Sequence, residues 1–228
     1  MLDDMSHELM ICNILHLNIF SFIVENYNID KAKLLIDNGA NVNVGDKDGL
    51  TPLHIASTTL NMNLVKILVE YGADVNAKVG DSITPLLLAV YPYQRSDDGN
   101  HQYDRMFEMV KYLLAHGANP TIAGNYNSTA LLEATSDKMV DTMSLLIQYG
   151  ANVNAKDNDG MTPLHSAAEK IQLEAAKLLM KNGADSQAKD KFEKTPIDSA
   201  RHTYKYEPVE QEKFDQMMSI LEGNVELL

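Results

Sequence analysis

The chain has 228 residues, enough for one or two ordinary domains with a core of useful size. Hydrophobic residues make up 45% and charged residues 22%, a globular balance that excludes wholesale disorder. Lys and Arg number 19 against 32 Asp and Glu, and the resulting net charge of −13 excludes the basic surface that nucleic acid or an anionic membrane would need.

Taken in chain order, the N-terminus reads MLDDMSHELM, with acids where a secretory leader carries positive charge. Leu9 to Val24 is the most apolar stretch, but Asn13, His16, Asn18 and Ser21 interrupt it, and it is too short and polar to span a bilayer. The single cysteine, Cys12, lies in this stretch. It can form no intramolecular disulfide and no cysteine zinc cluster, so an inert thiol and a reducing, cytoplasmic setting are expected. Export as an effector by a route without a cleavable leader is the other option.

Residues 31–38 read as a helix closed by Gly39. Two identical tetrads follow, Thr51-Pro52-Leu53-His54 and Thr162-Pro163-Leu164-His165. Related tetrads begin at Thr84, Thr129 and Thr195, so successive spacings are 33, 45, 33 and 33. A second marker, Gly-Ala, begins at 39, 72, 117, 150 and 183, with the same spacings. Two independent markers sharing one period and one 12-residue insertion are an internal repeat, not chance.

The tetrad has a physical reading. Thr51 can cap a helix, Pro52 suits the first helical position, and Leu53 and Ala56 fall on one face. A second apolar helix carries Leu64, Val65, Ile67, Leu68 and Val69, and Gly72 ends it in the left-handed region. Residues 73–77 then begin an extended hairpin, and the same grammar recurs from Gly150 to Ala155. The insertion is expected between helices, at Tyr91 to Tyr103, and a second long interhelix segment at His202 to Lys213.

On these residues the chain resembles the ankyrin-repeat family, whose 33-residue unit carries a TPLH-x-A signature. The resemblance implies an all-α solenoid of stacked helix-turn-helix units with β-hairpin loops, about six repeats in a single domain over 1–228. The expected units are 14–46 as a degenerate N-cap, 47–79, 80–124 with insertion 91–103, 125–157, 158–190, and 191–228 as a C-cap. Terminal units are expected to depart from the pattern, because one face of each meets water.

The resemblance also implies that a partner meets the hairpin tips and the first-helix face, which together form a concave groove. The tip residues are then Lys47, Asp48 and Leu50; Asp81 and Ile83; Asn125 and Tyr126; Asn158, Asp159 and Met161; and Lys191 and Phe192. Leu50, Ile83, Tyr126, Met161 and Phe192 would make an exposed apolar ladder, one rung per repeat. A second surface would be the edge holding Tyr91, Tyr93 and Tyr103, with Tyr204 and Tyr206, half of the ten tyrosines.

Catalytic chemistry finds little support. The resemblance implies that His54 and His165 bridge adjacent repeats rather than act as bases. Asp46-Lys47-Asp48-Gly49 and Asp157-Asn158-Asp159-Gly160 lack the further ligands of a calcium loop and read as turns. Asp97, Asp98, Asn100 and His101 are the one metal-like cluster and support only a remote metal-dependent alternative. No phosphate loop, dinucleotide fingerprint, HExxH or GxSxG is present. The expectation is a non-enzymatic, monomeric protein-interaction module without a cofactor, acting as adaptor, inhibitor or host-directed effector. An immunity-type inhibitor of a basic toxin or enzyme is the alternative that the acidic charge suggests.

Overall fold

The computed structural model describes residues 29–80, 82–91 and 101–224. Helix α1 spans Ile29–Asp37, and the rest form pairs: α2 (Pro52–Thr58) with α3 (Met62–Glu70), and α4 (Pro85–Val90) with α5 (His101–Ala115). Next come α6 (Ala130–Glu133) with α7 (Val140–Gln148), and α8 (Pro163–Glu169) with α9 (Leu173–Lys181). The last pair is α10 (Pro196–Tyr206) and α11 (Gln211–Leu221). Helices α2, α4, α6, α8 and α10 pack in succession as one row; α5, α7, α9 and α11 form a second, and α1 packs on α3.

Each first-row helix starts at a tetrad. Thr51, Thr84, Thr129, Thr162 and Thr195 occupy the capping positions with extended backbone, and proline follows at four of the five. The Thr84 hydroxyl accepts the Leu87 N–H at 3.3 Å, and Thr129, Thr162 and Thr195 accept the equivalent N–H at 3.4 Å. These bonds satisfy a donor that the helix start would otherwise leave orphaned.

The core repeats with the sequence. Leu53, Leu86, Leu131 and Leu164, third in their tetrads, are buried, and Ala56, Ala89, Ala134, Ala167 and Ala200 are buried with them. Alanine at that point lets neighbouring first-row helices close on one another. Leu68, Leu113, Leu146 and Leu179 hold the same register in the second row, and all belong to one continuous apolar cluster. Each buried leucine contributes about 1.5–3 kcal/mol relative to an exposed one.

Polar bonds tie the units laterally. His54 Nδ1 accepts from the Thr51 N–H at 3.2 Å and from its hydroxyl at 2.8 Å, so its proton sits on Nε2 and is donated to the Ile83 carbonyl at 3.1 Å. His165 repeats this with Thr162 and the Lys194 carbonyl at 3.0 Å. Burial is the leading cause that pulls the His54 pKa below 6.5, against weaker opposing hydrogen bonds to backbone carbonyls. Asparagine clamps form a second tie. Asn76 Nδ2 donates to the Gly117 carbonyl at 2.9 Å while its Oδ1 accepts the Asn119 N–H at 2.8 Å.

Three expectations need correction. The hairpin loops contain no extended strand among the described residues; they close through short backbone pairs such as Val79 with Ile83 and Ala123 with Thr129. The insertion is not all loop, because α5 starts at His101 and runs for 15 residues where α3, α7 and α9 run for nine. Tyr103 therefore sits on a helix, packed against the core, with Lys138 Nζ 5.8 Å from its ring centroid. Likewise α10 continues through Tyr206, and Tyr204 stacks on Phe214 at 4.1 Å rather than lining a free loop. In both places apolar residues at helical spacing pack on the core and carry the helix across the expected boundary.

Candidate interaction surface

The hairpins before the Thr51, Thr162 and Thr195 tetrads are built around one turn. Asp46 Oδ1 accepts the N–H groups of Asp48 and Leu50, both at 2.9 Å. Asp157 does the same for Asp159 and Met161 at 2.8 Å, and Asp190 for Phe192 and Lys194 at 2.8 and 2.9 Å. In Asp46 and Asp157, which resemble part of a calcium loop, one carboxylate oxygen is thus committed to backbone donors.

This turn separates the five apolar tip residues into two groups. Leu50, Ile83 and Met161 directly precede their threonines and are half-buried. Tyr126 and Phe192 lie two positions earlier in the register and are 78% and 66% exposed. The expected ladder therefore mixes an inward and an outward position. Lys47, Asp48, Asn125, Asn158, Asp159 and Lys191 are exposed. Asp81 and Tyr93 lie outside the described residues, as do the metal-like candidates Asp97, Asp98 and Asn100.

Successive tips are fastened to one another. The Asn158 N–H donates to the Tyr126 carbonyl at 2.8 Å, and the Lys191 N–H donates to the Asp159 carbonyl at 2.8 Å. Lys191 also pairs with the Asp159 carboxylate and lies 5.0 Å from the Phe192 ring centroid. Tyr126 (φ 56°) and Asn127 (φ 59°) are both left-handed, an outlier conformation for a bulky tyrosine. Asn127 Nδ2 donates to the Lys156 carbonyl, and the Ser128 hydroxyl donates to Glu133 Oε1 at 2.6 Å, which hold the strained tip in place.

Beside that tip lies a cavity of about 360 Å³. Ile83, Leu87, Leu88 and Tyr91 line it from one side, and Gly124 to Tyr126 and Ser128 from another, with Glu133 and Asp157. Of these, Ile83, Tyr91, Asn125, Tyr126 and Ser128 were expected at the surface, and Asp157 was expected only in a turn. Sequence reasoning missed Leu87 and Gly124 at the border of the cavity. A repeat-register comparison could have found them, since Leu87 stands where His54 and His165 stand, and Gly124 where Asp46, Asp157 and Asp190 stand.

Among the described residues no helix is long and apolar enough to cross a membrane. No curated protein sequence matches the chain. Among solved structures, an ankyrin repeat domain from Acinetobacter baumannii AYE is similar with a TM-score of 0.74 and 26% identity, over 90% of this chain and 96% of that one. The ankyrin repeat domain of Bcl-3, a member of the IkappaB protein family, is similar with a TM-score of 0.69 and 25% identity, over 87% of this chain and 81% of that one. The family model for ankyrin repeats in three copies matches residues 8–96 and again residues 101–190. The chain therefore belongs to the ankyrin-repeat family, whose repeats serve generally as protein–protein interaction modules.

Proposed function

We propose that this chain is a non-catalytic recognition module that holds a partner protein along the hairpin tips and the first-helix row, as an adaptor, inhibitor or effector. The observation that carries the reading is the bonding between tips. Backbone hydrogen bonds join the Tyr126 tip to Asn158 and the Asp159 tip to Lys191, so the exposed groups are presented in a fixed row before any partner arrives. A surface ordered in advance loses little entropy on binding, and a modest contact area then suffices. Exposed Tyr126 and Phe192 are the side chains best suited to anchor a partner there. A cytoplasmic site of action accords with the single cysteine.

The test is capture of a partner, its identification, and titration against wild type and a Tyr126→Ser, Phe192→Ser double variant. A matched control changes Tyr71 and Tyr149, exposed at the ends of α3 and α7, to Ser. Loss of affinity in the tip variant alone supports the reading. Equal affinity for wild type and tip variant refutes it.

A further inference from the structure

Recognition along the tips, as proposed above, leaves the chemistry of the partner unspecified, and the cavity beside Tyr126 narrows it. The following inference rests on that reading. Two replacements border the cavity. Leu87 stands where His54 and His165 bond to the next unit, and Gly124 stands where Asp46, Asp157 and Asp190 bracket their tips. Gly124 has φ −98°, so its backbone does not demand glycine; a Cβ there would lie 2.9 Å from Leu87 Cδ1. Glycine is therefore matched to the leucine, and the pair leaves an apolar wall of Ile83, Leu87 and Leu88 beside open space.

The polar part of the lining has one sign. Glu133 and Asp157 are its charged residues, and no Lys, Arg or His lines the cavity among the described residues. Neither carboxylate swings freely, because Glu133 accepts from the Ser128 hydroxyl and Asp157 accepts two backbone N–H groups. Tyr91 and Tyr126 also line the cavity, and the Tyr126 tip is held in a strained conformation by bonds to the neighbouring tip. Strain preserved by its surroundings is a recurrent mark of ligand clamps. A chain of −13 adds a long-range field that attracts cations and repels anions.

We propose that this cavity receives an arginine or lysine side chain from an extended segment of the partner protein. Its aliphatic stem lies along Ile83, Leu87 and Leu88, and its cationic head meets Glu133 and Asp157 between the two tyrosines. Long basic side chains suit such a site because the stem is apolar while the head bonds to carboxylates and tyrosine faces. Arginine is the preferred occupant, since its planar fork can bond to a carboxylate and stack on a ring together. The cavity volume of about 360 Å³ is ample for one long basic side chain.

The experiment selects a phage-displayed library of random linear peptides on the full chain and titrates the best enriched peptide. Glu133→Gln with Asp157→Asn removes both charges while retaining an oxygen that can accept the existing internal bonds. The enriched peptides should share an arginine or lysine. Affinity should fall roughly tenfold or more in the double variant, and equally when that basic residue of the peptide is changed to Gln. The peptide-side change keeps the test valid if the double variant folds poorly. Enriched peptides without a shared basic residue, affinity indifferent to both changes, or no enrichment at all would overturn the proposal. If such peptides nevertheless lose affinity in the Tyr126→Ser, Phe192→Ser variant, recognition at the tips stands and only the basic occupant fails.

Discussion

Replacing Asn76 with Ala should weaken the stack by about 1–2 kcal/mol, the combined net value of two hydrogen bonds near the lower end of their range. The Asn76 side chain donates to the Gly117 carbonyl at 2.9 Å and accepts the Asn119 N–H at 2.8 Å, spanning one unit to the next. Gly117 and Asn119 are exposed, so water can replace the lost partners and no buried group is orphaned. That holds the cost below a buried-network loss. The same clamp recurs at Asn43, bonded to Gly72 and Asp74, and at Asn154, bonded to Gly183 and Asp185. Thr121 occupies the equivalent register, and its hydroxyl bonds locally to Asn119 Oδ1 at 2.7 Å instead. Its side chain lacks the amide that the clamp uses. Thr121→Asn should therefore install the missing rung toward Gly150 and Asn152 and add about 0.5–1.5 kcal/mol. Both side chains touch Asn119, so the combined variant should depart from the sum of the two by a measurable coupling. Urea unfolding followed by far-UV circular dichroism would measure the two single changes as opposite shifts of the midpoint at constant slope. An unchanged midpoint for Asn76→Ala, or a lowered one for Thr121→Asn, would refute the assignment of these bonds as lateral ties.

Further outcomes follow from the packing and the electrostatics. Leu131→Ala, fully buried between neighbouring units, should cost about 2–5 kcal/mol in the same titration, whereas Leu50→Ala, half-buried at a tip, should cost markedly less. Gly124→Ala should cost less than the ~1–3 kcal/mol of overpacking a tight core, because the Leu87 Cδ1 it meets ends a side chain bordering open space, and less again in a Leu87→Ala background, a coupling that a double-mutant cycle would read. The His54 pKa is depressed on folding, so below 6.5 the unfolded chain binds the proton first, and stability falls until the lower folded value is passed. Unfolding free energy measured from neutral pH into this window should decline less in His54→Gln than in wild type; identical profiles would exclude the histidine as the source.

Much of the architecture was legible because its causes are local and periodic. Threonine in each tetrad, with proline in four of the five, starts a helix, and recurring leucine and alanine face a core that repeats with them. The histidine bridge also emerged as the resemblance implied, from Thr51 through His54 to Ile83. Tip exposure was less legible. Leu50 and Phe192 look alike in composition, yet a two-residue difference in register turns one toward the core and the other toward water. The helical boundaries at His101 and Tyr206 also escaped the periodic reading, since nothing in a repeat length says how far an insertion will extend a helix.

Helix caps and core positions thus follow from the order of residues, because each depends on neighbours within one unit and on a regular period. The cavity beside Tyr126 does not. It requires Leu87 and Gly124, 37 positions apart in one expected unit, to face Glu133 and Asp157 of the next across a shared cavity. Only stacking brings those residues together, because a groove between units is a property of how the units pack and not of any one of them.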